Sequence, residues 1–263
     1  VKDYSFIPNH SVASELDRLR AHNPLIHCVT NEVVQEITAN VLLAAGASPA
    51  MVVGDGETEL FASVASGLLI NVGTPYAARI EAMKKAVRGA KKGSTPWVLD
   101  PVAAGGMPWR NRIINQFVEL RPTAIRGNAS EILYLSGVGT GGKGVDSTAK
   151  SDDAVDAAIS LAQKSGSIVV VTGETDYATD GERILAARGG SPLITKVVGT
   201  GCSLSALLAA FLAGSDNLLV SAAACCAYVN RAGETAASRS RGPGSFHNEY
   251  LDALYNLKPG DFQ

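Results

Sequence analysis

Four consecutive residues, Gly199-Thr200-Gly201-Cys202, have the types and order that suit a phosphate or another anion. They open an apolar, small-residue run at 204–213 that reads as a helix. Glycine lets the backbone turn tightly and approach a ligand closely. A helix N-terminus offers unpaired N–H groups and the positive end of the helix dipole. The competing reading is an ordinary helix start with a buried cysteine, and spacing alone leaves both open. Cys202 adds a second chemistry, because a helix N-terminus can lower a thiol pKa from its free value of about 8.5. A cysteine hydrolase also needs a histidine nearby; His27 stands on a strand-like run, but nothing in the sequence pairs it with Cys202.

Other polar residues recur where apolar runs stop: Asn71-Val72-Gly73, Asp100-Pro101, Arg126-Gly127-Asn128 and Thr172-Gly173-Glu174. In an open parallel sheet, ligands bind outside the carboxyl ends of the strands. These residues should therefore gather along one edge.

The elements that must hold them are short apolar runs at 25–29, 68–72, 97–99, 124–125 and 168–171, which read as strands. Helical patterns lie between or beside them at 34–45, 77–92, 111–119, 130–135 and 153–165. Strands that are apolar throughout and alternate with helices imply a parallel sheet covered on both faces. Residues 193–198 read as extended, and the chain from 202 to 257 as mostly helical with a break at Gly242-Pro243-Gly244. The chain reads as one domain over 1–263, a length that α/β folds reach undivided.

Two glycine motifs are decoys. Gly137-Val-Gly139-Thr-Gly141-Gly142 fits the dinucleotide pattern, and with Lys143 it nearly makes a phosphate-binding loop, but Gly144 stands where that loop needs Ser or Thr. Both motifs require a strand before and a helix after. Here a helical pattern precedes and none follows, so this is a surface loop.

Composition narrows the class. Lys and Arg number 23 against 25 Asp and Glu, which gives no basic excess for nucleic acid or a membrane surface. Charged residues are 18% of the chain, below the usual roughly 25%, and hydrophobic residues are 46%, so much surface should be buried, some of it between subunits. Four cysteines without a Cys-x-x-Cys pair, four histidines without a His-Glu-x-x-His motif and no Gly-x-Ser-x-Gly elbow argue against a disulfide scaffold, a zinc site and a serine hydrolase. The absence of a signal-like apolar start and of any apolar run of roughly 20 residues suggests a reduced, cytoplasmic setting and no membrane contact.

Taken together and in order, the segments 24–31, 38–51, 69–74, 100–102, 124–131, 171–174, 199–202 and 242–246 resemble the hydroxyethylthiazole kinase family of the ribokinase-like superfamily. The resemblance implies a three-layer α/β/α fold with a central, mostly parallel sheet. It implies ATP as co-substrate, Mg²⁺, the alcohol 4-methyl-5-(2-hydroxyethyl)thiazole as acceptor, and a homotrimer with active sites between subunits. Carried over by position, Asp100 and Glu131 match the acidic residues near Mg²⁺; Arg126, Thr172 and Asn128 match the ATP side; Asn31, Met51 and Gly199 match the thiazole side. The turn of Gly199, Thr200, Gly201 and Cys202 becomes the expected anion hole, with Cys202 as the catalytic residue where most ribokinase-like sugar kinases carry Asp. Other ribokinase-like enzymes, a silent nucleotide-binding protein and a cysteine-nucleophile enzyme are the alternatives.

Overall fold

A computed structural model describes residues 3–137 and 150–262. Within them nine strands form one sheet: β1 (Ser5–Phe6), β2 (Leu25–Val29), β3 (Ser48–Ala50), β4 (Gly67–Asn71), β5 (Trp97–Asp100), β6 (Ala124–Asn128), β7 (Ile168–Thr172), β8 (Thr175–Thr179) and β9 (Ile184–Arg188). Their order across the sheet is β1-β9-β8-β7-β6-β5-β4-β2-β3. The β7–β8 and β8–β9 pairs are antiparallel and the other pairs are parallel.

Alternation along the strands separates two apolar layers. Ile26, Leu69, Val98 and Val170 point to one side. There they meet α1 (Asn9–His22), α2 (Gln35–Ala45), α8 (Thr200–Leu212), α9 (Leu218–Arg239) and α10 (Pro243–Asn256). Leu68, Ile70, Leu99 and Val171 point to the other side, covered by α4 (Ala77–Gly93), α5 (Pro108–Glu119), α6 (Ala129–Ser136) and α7 (Val155–Ser165). A short α3 (Thr58–Val64) packs beside α4. Burial on both faces explains why these strands carry continuous apolar residues. The expected three layers with a mostly parallel sheet are what the chain forms.

Two expectations need correction, and one element went unread. The segment expected to be extended at 193–198 is largely a 3-10 helix, Pro192–Lys196, with proline at its start where a missing N–H costs nothing. The hydroxyl of Thr200 donates to the carbonyl of Ile194 at 2.7 Å, which draws this coil back onto the start of α8. The strand read at 124–125 continues to Asn128, so Arg126 and Asn128 belong to β6 itself. The β8–β9 hairpin was not read in the sequence at all. Of the glycine loop, Gly137 ends α6 in a left-handed conformation, and the rest, with Lys143, lies outside the described residues. Among the described residues, no helix is long and apolar enough to cross a membrane.

Candidate active site

The parallel register brings the polar strand ends together. Asn71 on β4 lies beside Asp100 on β5, and Asn128 on β6 beside Thr172 on β7. Asn71 Nδ2 donates to Asp100 Oδ2 at 2.8 Å. Arg126 Nη2 donates to Thr172 Oγ1 at 2.6 Å, and Nη1 to the carbonyl of Gly201 at 3.2 Å. One guanidinium thus ties β6 and β7 to the first turn of α8. Its Nε is buried and has no partner among the described residues, a donor left over for an anion.

The turn has the form the anion reading requires. Gly199 is the N-cap of α8 at φ +89°, and no side chain caps the helix. The first N–H groups of a helix have no partner within it. At Gly199 a side chain is doubly excluded: the backbone is left-handed, and a Cβ would lie 2.5 Å from Ile37 Cγ2. At Gly201 a Cβ would lie 3.1 Å from Arg126 Nη1. A phosphate on the α8 amides would therefore lie against a cationic side chain.

Two buried carboxylates lie at the same edge, Asp100 beside α8 and Glu131 at the start of α6. Asp100 Oδ2 accepts hydrogen bonds from Asn71 and, at 2.9 Å, from Ser205 Oγ. Burial holds its pKa above the usual value, against the pull of the Arg126 charge and those two donors. Burial, helped by the negative charge of Asp100, raises Glu131 to about 7. Glu131 also closes a capping box: Asn128 N donates to its Oε2 at 2.8 Å, and Glu131 N donates to Asn128 Oδ1 at 3.0 Å. Its Oε1 accepts from Ala103 N at 2.8 Å. These two acids repel each other in a poorly solvated place, an arrangement that a divalent cation relieves. The donors are all hard oxygens, which suits Mg²⁺. Among the described residues, no group of three His, Cys, Asp or Glu side chains could hold a metal, so a cation here would depend on water and phosphate oxygens as well.

Of the two readings of Cys202 left open by the sequence, the structure favours the buried thiol over an acidified one. Burial, with the charge of Asp100 adding to it, pushes its thiol up to about 12. A helix end is worth under about 1 kcal/mol, less than one pKa unit, whereas burial can move a group by roughly 3–5 units. Cys202 is a neutral thiol, half-buried, 3.7 Å from Asn31 Nδ2.

On the far side of the turn, Asn31 follows β2 and caps a short 3-10 helix, Glu32–Val34, accepting from Val33 N at 3.2 Å. Its Nδ2 donates to Asn71 Oδ1 at 3.0 Å, so the capping role and a place at the site coexist. Met51 follows β3, next to β2, and packs on the same apolar cluster as Cys202, Val34 and Ile37. His27, wholly buried on β2, bonds to the carbonyl of Val52 at 2.7 Å and stacks edge-on against Phe61. That bond pins the segment carrying Met51.

The expected residues therefore gather along the carboxyl edge, with Asn128 present mainly as the cap of α6. Sequence reasoning missed Ser205, and it took Asn71 only as a strand end. The available signal for Ser205 was a serine inside an otherwise apolar helix.

Comparison with known proteins agrees with this geometry. A model of the hydroxyethylthiazole kinase family matches residues 16–260. A hydroxyethylthiazole kinase of Shigella boydii serotype 18 is 54% identical over 245 residues, 93% of this chain and 94% of that protein. One from Escherichia coli strain K12 is 53% identical over 245 residues, with the same coverage. The solved structure of hydroxyethylthiazole kinase protein from Pyrococcus horikoshii OT3 superposes with a TM-score of 0.86 at 34% identity, covering 94% of this chain and 93% of that one. A ribokinase-like superfamily protein of Enterococcus faecalis V583 shares the fold at a TM-score of 0.68 and 14% identity. With a family model over residues 16–260 and relatives at 53–54% identity over nearly the whole chain, the chain belongs to the hydroxyethylthiazole kinase family.

Proposed function

We propose that the chain transfers the γ-phosphoryl group of ATP to the hydroxyl of 4-methyl-5-(2-hydroxyethyl)thiazole, as in thiamine salvage. The observation that carries this reading is the uncapped N-terminus of α8, tied to Arg126 and facing Asp100, in a chain of this family. Phosphoryl transfer asks mainly for positioning and charge neutralisation, which this edge can supply.

The α8 amides at Gly199, Thr200, Gly201 and Cys202 hold the moving phosphoryl. Arg126 and Thr172 orient the nucleotide phosphates from β6 and β7, and Asn128 fixes the start of α6 beside them. Asn31, Met51 and Gly199 form the thiazole side, where Met51 offers a soft wall to a sulfur heterocycle. Asp100 and Glu131 would hold Mg²⁺, directly or through water, and the ion would neutralise charge on the ATP phosphates. Cys202, protonated at neutral pH, lies beside the acceptor and assists without serving as an indispensable base. A loose transition state needs little early proton removal.

One kinase domain spanning 1–263 is supported by the continuous sheet and by the family match from 16 to 260. A homotrimer with sites between subunits is supported by Val33, an apolar side chain left 67% exposed two residues from Asn31. A cytoplasmic setting fits four free cysteines.

The test is ATP consumption with a panel of alcohols, with and without Mg²⁺, read by phosphorus NMR. Phosphate ester should form on the thiazole alcohol and depend on Mg²⁺. Ester formation on a pyrimidine alcohol alone, or no ester on any alcohol, would contradict the reading.

A further inference from the structure

Asn71 is wholly buried at the end of β4, and its amide has one workable orientation. Nδ2 donates to Asp100 Oδ2 at 2.8 Å. Oδ1 accepts from Gly73 N at 3.0 Å and from Asn31 Nδ2 at 3.0 Å. A flipped amide would set oxygen against a carboxylate and an NH₂ group against two donors. Asn31 is fixed in turn, since its oxygen accepts from Val33 N while its NH₂ group faces Asn71 and Cys202. Donors along Asn31, Asn71 and Asp100 thus all point toward the carboxylate. Gly73 is pressed against the same pair: a Cβ there would lie 2.8 Å from Asn31 Nδ2 and 2.9 Å from Asn71 Oδ1. A side chain at position 73 would therefore collide with the two amides, and glycine keeps the bond between them free.

We propose that Asn71 is a positioning residue that couples the acceptor side of the site to the metal-holding carboxylate Asp100, so that a change at Asn31 is felt at Asp100. The proposal rests on the kinase reading above. It follows from chemistry in a dry place: each bond in a buried chain orients and polarises the next, and a group that loses one partner gains freedom to leave the other. Without Asn31, the oxygen of Asn71 keeps only Gly73 N, and its grip on Asp100 loosens. Ser205 contributes a separate bond to the same oxygen of Asp100, from α8 and not through Asn31.

A double-mutant cycle on nucleotide binding tests this without any thiazole present. The dissociation constant of Mg²⁺·AMP-PCP is measured by titration calorimetry on the full chain for wild type, Asn31→Ala, Asn71→Leu and the double variant. Asn71→Leu should weaken binding about tenfold and Asn31→Ala about threefold, as expected for one lost hydrogen bond and for a partial loosening. The double variant should match Asn71→Leu within about twofold, the signature of residues acting in one chain. AMP-PCP without Mg²⁺ should bind all four proteins within about twofold, because the chain ends on the carboxylate that would hold the metal. Effects that multiply, an Asn31→Ala affinity equal to wild type, or equal losses with and without Mg²⁺ would each overturn the proposal. If Asn71→Leu does not fold, Asn71→Ser completes the same cycle under the same criteria. A wild type that binds the nucleotide but phosphorylates no thiazole alcohol would defeat the acceptor assignment, while the cycle would still decide whether Asn71 couples Asn31 to Asp100.

Discussion

The two edges of the sheet are both rich in polar residues, yet they use them differently. At the amino edge, with the Ser48–Asn23 pair at 2.6 Å as an exception, side chains bond mainly to backbone: Ser66 Oγ accepts from Leu25 N at 3.1 Å, Thr123 Oγ1 accepts from Trp97 N at 3.0 Å, and Ser167 Oγ donates to the carbonyl of Pro122 at 2.6 Å. Each satisfies a strand end that would otherwise be orphaned. At the carboxyl edge, side chains bond to one another across strands and onto α8: Asn31 to Asn71, Asn71 to Asp100, Ser205 to Asp100, and Arg126 to Thr172. The open cavity of about 480 Å³ lined by Thr95, Arg121, Thr123 and Ser215 is at the amino edge, away from the paired carboxylates. Concavity alone is therefore a poor guide here. The carboxyl edge, by contrast, keeps like charges close together in a buried place, as sites tuned for chemistry do.

The comparison breaks most visibly at Glu131. Glu131→Ala should lower kcat/KM on the order of 10³-fold, the scale of removing a key electrostatic group, and should cost about 1 kcal/mol through the lost cap on α6. Wild-type rates at low Mg²⁺ would contradict this. Next comes Gly199→Ala. With a Cβ 2.5 Å from Ile37 Cγ2 the turn must shift, and a displacement of this kind costs about 10²-fold in turnover. An unchanged kcat would mean that the turn does not hold the phosphoryl group. Cys202→Ser should fall less than about tenfold, below the 10²–10⁴ that a true general base supplies. Complete loss together with a trapped adduct on Cys202 would reverse that role.

A smaller effect concerns pH. The Glu131 carboxyl sits at about 7 in the fold against 4.5 for an unperturbed group. The native state therefore holds an extra proton between those values, and this group's contribution to stability falls as pH rises from 4.5 to about 7. Melting curves of wild type and Glu131→Gln should diverge across that window, wild type losing ground as pH rises, and Mg²⁺ should close the gap. A pH-independent difference would contradict the burial argument.

Much of this was legible before the structure. Strands β2, β4, β5 and β7 announce themselves as apolar runs, because a strand covered on both faces has no polar face to confuse the pattern. The tight turn before α8 shows in its glycines and in the apolar run after it. The β8–β9 hairpin was hidden: Thr175-Asp176-Tyr177-Ala178-Thr179 mixes polar and small residues. Asp176 is nevertheless buried by pairing with Gly173 N and Asn230 at 3.0 Å each. The contacts of Asn71 and Ser205 with Asp100 were hidden for a related reason. Their partner Asp100 is 29 and 105 residues away in sequence, and only the sheet register and the approach of α8 bring them together. The two readings of Cys202 stayed open in the sequence because a helix start is visible there and the depth of burial is not.

The most direct measurement sets the two edges side by side. Kinetics of thiazole-alcohol phosphorylation and melting temperature are recorded for Glu131→Ala and Thr123→Val. Thr123→Val leaves Trp97 N without its partner, so it should cost about 1–3 kcal/mol of stability and leave kcat/KM within about twofold of wild type. Glu131→Ala should lose nearly all activity for a stability loss no larger than that. Activity lost equally in both variants, or lost in Thr123→Val and kept in Glu131→Ala, would contradict the assignment of catalysis to the carboxyl edge.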